Sequence, residues 1–226
     1  MPWRQRLWPP LDPALAAASA RGEIAVARGR VVLTLLILAV PLAALWGGFS
    51  LEAAMGVGVA TLAVLFALVV LRVVSRDHHV PGLGFVTSLV DVTLVSLLQV
   101  AYLIAGMPSI AANSRTTFSV YLVAVAATAM RWDFRVCIAA GLAAIAQYGA
   151  IAWVAWLMWV PQPTAETAIY GRIVPGQQVA RLIILLAATW VAVAVARQGT
   201  TLLAGGVSSP GERAGSQQTA AREEEP

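Results

Sequence analysis

Six apolar stretches, separated by short segments that carry arginine, occupy most of the chain. They cover residues 31–49, 53–74, 83–105, 117–130, 136–160 and 178–196. A helix needs about 20 apolar residues to cross the roughly 30 Å hydrocarbon core of a membrane, and five of the stretches approach or exceed that length. The fourth is short, and it reaches full length only if it begins near Asn113 and includes Arg115 at the interface. The pattern predicts an all-α polytopic membrane bundle of about six transmembrane helices in contact with the lipid bilayer.

The composition favours a membrane protein over a soluble domain. Hydrophobic residues make up 59% of the chain and charged residues 12%, whereas soluble domains carry about 25% charged residues. The net charge is +4, but the basic residues are scattered between the stretches and do not line one face. Nucleic acid is therefore not expected as a partner.

The positions of the basic residues, all of which are arginine, predict the orientation of the bundle. Cytoplasmic loops of membrane proteins carry an excess of Lys and Arg. With the N-terminus inside, twelve arginines fall on the cytoplasmic side: Arg4, Arg6, Arg21, Arg28, Arg30, Arg72, Arg76, Arg131, Arg135, Arg197, Arg213 and Arg222. The opposite side holds only Arg115, Arg172 and Arg181. We therefore expect both termini to be cytoplasmic, in a multi-pass protein of the plasma membrane, which in a bacterium is the inner membrane.

The two ends of the chain are expected to differ from the transmembrane domain at 31–198. Residues 1–30 are predicted to form a cytoplasmic or interfacial segment before the chain turns into the first span. In this segment Asp12 suits the N-cap of a helix and Pro13 its first position. Residues 199–226 are rich in Gly, Ser, Gln and Glu, a composition that predicts a disordered cytoplasmic tail.

Asp91 is the ionisable residue that lies deepest in a predicted span. It lies about eight residues, or roughly 12 Å, into the third span, where an acid should face the bundle interior and have a partner. Ser88 and Gln99 are predicted to share its helical face, and Gln147 of the fifth span can join them across the bundle. Two interpretations remain open: a polar clamp between helices, or a ligand or proton site.

The segment RWDFR at 131–135 joins the fourth and fifth predicted spans. Arg131 and Arg135 are predicted to anchor the ends of these spans, and Arg115 the opposite end of the fourth span. Asp133 can pair with either neighbouring arginine or cap the fifth span. These four charges are interpreted as topology anchors, a role that needs no substrate.

The sequence contains no recognised catalytic motif. It has no Gly-rich phosphate loop, no G-x-S-x-G and no H-E-x-x-H pattern. Cys137 is the one cysteine, and the adjacent His78 and His79 would not share a helical face. Neither a metal site nor a cofactor is predicted.

Two segments carry a resemblance to a known family. They are NSRTTFSVYLVAVAATAMRWDFRVCIAAGLAAIAQYGAIAW, which begins at Asn113, and YGRIVPGQQVARLIILLAATWVAVAVARQ, which begins at Tyr170. In their order of motifs they resemble the N-terminal membrane region of bacterial GGDEF proteins, the diguanylate cyclases, and similar six-span regions occur in some bacterial adenylate/guanylate cyclases. The resemblance covers about residues 12–198. It implies a bundle that senses a membrane or external cue, forms a homodimer, and passes the signal through its last helix to a cytoplasmic output domain or protein.

The chain departs from that family after Arg197. No GGDEF signature follows, and glycines at 199, 205 and 206 predict that the last helix does not continue. We therefore expect the sensor half of such a protein without its catalytic domain. A small transporter or channel that uses Asp91 and Gln99, and a purely structural partner subunit, are the alternatives.

Overall fold

The computed structural model describes residues 13–76, 82–131, 133–159 and 165–207, and these residues form helices joined by short turns. Within these ranges there are eight α-helices: α1 Pro13–Trp46, α2 Leu51–Arg76, α3 Leu83–Ile104, α4 Pro108–Asn113, α5 Arg115–Thr128, α6 Phe134–Met158, α7 Ala165–Tyr170 and α8 Pro175–Val207. A short 3-10 helix at Ala129–Arg131 leads from α5 toward α6. The predicted all-α class is confirmed for this part of the chain. Asp12, His78 and His79, and the tail after Val207 lie outside the described residues.

Five helices in the described part of the chain are long and apolar enough to cross a membrane. Their spanning segments are Ile24–Trp46, Leu51–Arg76, Leu83–Ile104, Phe134–Met158 and Pro175–Gly199. Large apolar side chains such as Leu36, Leu65 and Trp190 lie mostly exposed on the outside of the bundle. Helices satisfy their own backbone hydrogen bonds and can therefore present such a surface to lipid. These features indicate a membrane protein.

The fourth predicted stretch, 117–130, falls on α5 and the 3-10 helix, and only its extension toward Asn113 meets a break. We call α4 and α5 together the broken segment. The six-residue α4 and the fourteen-residue α5 meet at Ser114. A fourteen-residue helix is about 21 Å long, which is shorter than a hydrocarbon core of about 30 Å. The Ser114 hydroxyl accepts a hydrogen bond from the Thr117 backbone N–H (3.3 Å), so that Ser114 serves as the N-cap of α5.

The sequence predicts that the chain turns between an interfacial segment and the first span, but α1 contains no such turn. It begins at Pro13, as predicted, and runs to Trp46 without interruption. Within the described residues, the segment of α1 that is apolar enough to cross a membrane lies in Ile24–Trp46. The physical reason is that alanines between residues 14 and 27 favour a continuous helix, while Arg30 finds an acidic partner inside the bundle.

Small residues let α6 and α8 pack closely at the centre of the bundle. Buried alanines and Cys137 recur along α6 at three- or four-residue spacing, the pattern that allows helix backbones to approach each other in membranes. Gly141 marks a close approach of the two helices, because a Cβ atom added there would lie 2.7 Å from the Cβ of Thr189. Leu185 and Ala192 of α8 are also fully or almost fully buried in this core.

The last helix is longer than predicted. α8 continues through Gly199, Gly205 and Gly206 to Val207, so the expectation that these glycines interrupt it is wrong. A glycine in a helix costs only about 1 kcal/mol relative to alanine, and Leu202, Leu203 and Ala204 between the glycines are good helix formers. The boundary expected at residue 198 therefore falls inside a helix.

Candidate functional site

The break between α4 and α5 exposes three backbone carbonyls that side chains from three other helices satisfy. We call the carbonyl oxygens of Ala111, Ala112 and Asn113 the break carbonyls. Their donors are Gln99 Nε2 to Ala111 (3.0 Å), Tyr148 OH to Ala112 (3.2 Å) and Arg181 Nη2 to Asn113 (3.1 Å). Arg181 Nη1 also donates to Ala112. Carbonyls at the end of a helix lack intrahelical partners, and at membrane depth the protein must supply them.

The Asn113 side chain fixes the break to the beginning of α8. Its Nδ2 donates to the carbonyls of Gly171 (3.3 Å) and Arg172 (3.1 Å). Its Oδ1 accepts from Gln178 Nε2 at 2.9 Å, and Gln178 Oε1 in turn accepts from the Tyr148 hydroxyl at 2.5 Å. Tyr148 has one hydroxyl proton, so it can serve either Gln178 or the Ala112 carbonyl at any moment.

A second chain of hydrogen bonds brings two of the predicted polar residues together. Gln99 Oε1 accepts from the Tyr121 hydroxyl (3.0 Å), which also lies 2.6 Å from Ser96 Oγ. Ser96 donates to Gln147 Oε1, and Gln147 Nε2 donates to Thr93 Oγ1 (3.2 Å). Gln99 and Gln147 therefore belong to one network through Ser96 and Tyr121, and that network continues to the break carbonyls.

Asp91 lies apart from that network and has a different partner. Its Oδ2 accepts from Arg30 Nη2 of α1 at 2.6 Å, with side chains that are 24% and 8% exposed respectively. The depth of Asp91 predicts such a partner, and the structure supplies it from the first helix. The Arg30 guanidinium also lies 6.0 Å from the centre of the Phe66 ring, and its buried Nη1 has no acceptor among the described residues.

The Arg30–Asp91 pair lies at one end of a large cavity between the helices that is partly open to the outside of the bundle. The cavity has a volume of about 1050 Å³ and is bordered by α1, α2, α3 and α5. Ser88 and Arg131 lie at the same end as the ion pair, and Arg131 Nη2 donates to Thr87 Oγ1 (2.8 Å). We call this the Arg30 end. Asp91 and Ser88 thus border a cavity, whereas Gln99 and Gln147 take part in the buried network.

The opposite end of the cavity, which we call the Glu52 end, holds an acid and two tyrosines. The Tyr170 hydroxyl donates to Glu52 Oε1, and the Tyr102 hydroxyl donates to the Glu52 backbone carbonyl at 3.5 Å. Burial, reinforced by the hydrogen bond to Glu52 and by its charge, raises the pKa of the Tyr170 hydroxyl above its ordinary value. Tyr170 therefore remains a neutral hydrogen-bond donor over the physiological pH range. Arg115 borders the cavity at this end as well, with an exposed side chain.

Two of the four predicted topology anchors, Asp133 and Arg135, lie at the start of α6, whereas Arg131 ends the 3-10 helix and Arg115 begins α5. Asp133 is the N-cap of α6, where its Oδ1 accepts from the Arg135 backbone N–H (2.9 Å), which is one of the two roles predicted for it. The guanidinium groups of Arg135 and Arg197 lie 5.8 and 4.9 Å from the centre of the Phe134 ring. This corner therefore joins the beginning of α6 to the far part of α8.

The sequence did not predict most of the residues that form hydrogen bonds at the break between α4 and α5. Asn113 was considered only as the start of a span, and Arg181 only as a charge that sets orientation. The same holds for Arg30, the partner of Asp91 outside this network. A signal was present for Gln178 and Arg181, because two polar residues three positions apart share a helical face at the start of an apolar span. No group of three or more His, Cys, Asp or Glu side chains with metal-binding geometry occurs within the described ranges.

The chain was compared with protein-family models, with curated proteins and with solved structures, and nothing in any of the three sets matched it.

Proposed function

We propose that this chain is a membrane-embedded signal-input module that relays a membrane or external cue through α8, in the manner of the input region of a diguanylate cyclase. The observation that carries the proposal is the length and anchoring of α8. Its 33 residues extend about 50 Å, some 20 Å more than a hydrocarbon core. One rigid element therefore connects the break carbonyls, through Arg181, with a point well outside the membrane.

A six-crossing arrangement with both termini in the cytoplasm is part of the proposal. The residues that flank α5 on its two sides contact different ends of the bundle. Asn113 bonds to the loop that precedes α8, whereas Arg131 bonds to Thr87 near the beginning of α3. These contacts, together with twelve arginines against three, support a sixth crossing made by the broken segment in a bacterial inner membrane.

The buried network gives α8 a way to respond to the bundle. Signal relay needs an element with two arrangements whose equilibrium a cue can shift. Tyr148 meets this need, because its single proton can be donated to Gln178 of α8 or to the break carbonyl of Ala112. A cue that displaces the broken segment changes which acceptor is in reach, and so changes the position of α8. The expected output partner is a cytoplasmic signalling domain or protein, engaged by a homodimer.

The experiment is a fusion of residues 1–207 to a GGDEF cyclase domain, with cyclic di-GMP measured per amount of membrane-inserted protein. Gln178→Leu removes the hydrogen bond to Asn113 and the acceptor of Tyr148. We expect output to change by at least about fivefold, the scale of a modest allosteric coupling. The matched control is Val179→Leu, since the neighbouring Val179 side chain is 54% exposed.

Two outcomes would remove the proposal. In the first, the fusion has the same activity as the isolated cyclase domain under every membrane composition tried. In the second, Gln178→Leu and Val179→Leu give the same output as the wild-type fusion, although all three insert equally well.

A transporter or channel is the second candidate, and the cavity beside Asp91 is the observation that favours it. Cavities of several hundred Å³ with few polar groups are typical of small-molecule sites, and an acid in a membrane span often marks a substrate or proton path. Asp91→Asn should then abolish uptake or proton-coupled flux in vesicles. Normal flux in this variant, or no flux in the wild type, would exclude it.

A further inference from the structure

The helices α1 and α2, which we call the hairpin, lie outside the buried apolar core of the bundle. They pack on each other through small residues, and at Gly56 an added Cβ atom would lie 3.0 Å from the Cβ of Pro41. The two clusters of buried apolar side chains consist of residues between 92 and 196, and among the described residues the hairpin adds only Met55 at the edge of one cluster. The hairpin is therefore a packing unit of its own.

Along most of its length the hairpin faces the large cavity. The cavity has a volume of about 1050 Å³, with α1 and α2 on one side and α3 and α5 on the other. Dispersion forces act only between atoms in contact, and side chains on opposite walls, such as Ile37 and Leu98, are separated by this space. Apolar packing therefore attaches this part of the hairpin only weakly to the rest of the bundle.

The Arg30 end attaches the hairpin firmly. Next to the Arg30–Asp91 ion pair, Ala27 and Val74 of the hairpin and Thr87 of α3 are each at most 2% exposed. The space that they border has a volume of only about 10 Å³, barely enough for one water molecule. Close packing and an ion pair together give this end the character of a pivot.

The Glu52 end is attached mainly through one residue. The Tyr170 hydroxyl donates to Glu52 Oε1, and the Tyr102 hydroxyl donates to the Glu52 backbone carbonyl at 3.5 Å, the long limit for a hydrogen bond. A hydrogen bond to a charged acceptor is about twice as strong as one between neutral groups. Tyr170 therefore supplies most of the attachment at this end.

Tyr170 also directly precedes the loop that leads into α8. The backbone carbonyls of the next two residues, Gly171 and Arg172, accept hydrogen bonds from Asn113 Nδ2. Asn113 Oδ1 in turn accepts from Gln178 of α8. A displacement of Tyr170 is therefore passed to the first turn of α8 through adjacent bonded groups.

We propose that the hairpin turns about the Arg30 end, and that the hydrogen bond from Tyr170 to Glu52 is the latch that keeps the Glu52 end closed. Hinge movements of this kind need one firm and one releasable attachment, and the hairpin has both. The proposal deepens the proposed function, because opening of the latch is how a cue would reach α8. It rests on that function only for this consequence.

Thiol labelling measures opening at the two ends separately, on the full chain in phosphatidylcholine nanodiscs. In a Cys137→Ala background, one cysteine is introduced either by Ala53→Cys at the Glu52 end or by Ser88→Cys at the Arg30 end. Both positions border the cavity and are 5% and 3% exposed. The labelling rate with N-ethylmaleimide, divided by that of the same variant unfolded in detergent, follows the open population when opening is fast.

Tyr170→Phe removes the hydroxyl of the latch and keeps the ring. We expect it to raise the rate for Ala53→Cys by about tenfold or more, the scale of a hydrogen bond to a charged group, and to change the rate for Ser88→Cys by less than about twofold. Tyr121→Phe is the matched control, since Tyr121 bonds to Gln99 and Ser96 of α3 rather than to the hairpin. It should leave the ratio of the two rates unchanged.

A double-mutant cycle assigns the effect to the pair. Glu52→Ala should raise the rate for Ala53→Cys as Tyr170→Phe does, and the two changes together should raise it no further, because both remove the same contact. The proposal is overturned if Tyr170→Phe leaves this rate unchanged, if it raises the rates at both ends equally, or if the effects of the two changes multiply. The assay contains no output domain, so its failure is distinct from failure of the signal-input proposal.

Discussion

The close approach of α6 and α8 at Gly141 predicts a large effect from one added methyl group. The Cβ atom of Gly141→Ala would lie 2.7 Å from the Cβ of Thr189 and closer still to both atoms at the end of that side chain. Carbon atoms pack at about 3.5–4.0 Å, and rotation of Thr189 does not move its Cβ. The helices must therefore separate by about 1 Å.

Two opposing terms set the magnitude of this effect. Replacing a helical glycine by alanine gains about 1 kcal/mol of helix propensity, whereas overpacking a close-packed core costs about 1–3 kcal/mol and occasionally more. Because a backbone-proximal atom is involved, we expect the upper part of that range and a net loss of about 1–2 kcal/mol. Gly149→Ala is the matched control in the same helix, since its added Cβ would lie 3.7 Å from a Leu182 methyl, an ordinary contact. It should be neutral or stabilising.

The lone cysteine provides the assay. Cys137 is fully buried in the core, so a fluorogenic thiol reagent labels it only when the bundle opens. For a chain of this length each kcal/mol lowers the unfolding midpoint by about 2–4 °C. Adding Thr189→Gly to Gly141→Ala should restore part of the loss by removing the clashing atoms. Equal midpoints for the two alanine variants would refute the packing described for α6 and α8.

Three further changes have expected outcomes in the same unfolding assay. Arg30→Gln should lower the free energy of unfolding by up to about 3–5 kcal/mol, because it leaves a buried carboxylate unpaired. Arg30→Gln with Asp91→Asn should lower it much less, and equal losses would contradict the pairing of the two residues. Gln178→Leu should lower the free energy of unfolding by about 1–3 kcal/mol, because its buried partners lose their hydrogen bonds. An unchanged unfolding midpoint would show that Gln178 does not stabilise the break between α4 and α5. Asp133→Ala should cost about 1 kcal/mol as a lost N-cap, and Asp133→Ser should restore most of it if capping, rather than charge, is the cause.

Local features of the sequence were sufficient for the long helices and some of their ends. Apolar length predicts about six spans, and five of them coincide with described helices that are long and apolar enough to cross a membrane. The first position of α1 at Pro13 and the cap at Asp133 follow from the backbone preferences of those residues. Each of these depends on neighbours within one helical turn. That is why they could be predicted without knowledge of the packing.

The pairings between helices could not be predicted in the same way. The depth of Asp91 requires a partner but does not name Arg30, which lies 61 residues earlier in the chain. The break at Ser114 has neither Gly nor Pro at its centre, and it is stable because Gln99, Tyr148 and Arg181 satisfy the carbonyls it exposes. The hydrogen bonds that satisfy these carbonyls come from three other helices, so they could not be predicted from the sequence of the broken segment alone.

The glycines after Arg197 show the opposite error, in which a local rule was given too much weight. Three glycines lower helix propensity by a few kcal/mol in total, but α8 is already formed over its spanning residues, and extending a helix is much easier than starting one. The extension to Val207 is what makes α8 long enough to act outside the membrane.

Signal input by this chain depends most directly on α8 acting as a rigid connection between the bundle and an output. The measurement is cyclic di-GMP production by a series of fusions in which zero to seven alanines are inserted between Val207 and a cyclase domain. Each inserted residue rotates the domain by about 100° and a seven-residue insertion restores the original phase to within about 20°. Output should rise and fall with insertion length and return near its starting value at seven. Cyclic di-GMP output that is independent of the insertion, or that falls steadily with linker length, would contradict a rigid connection through α8.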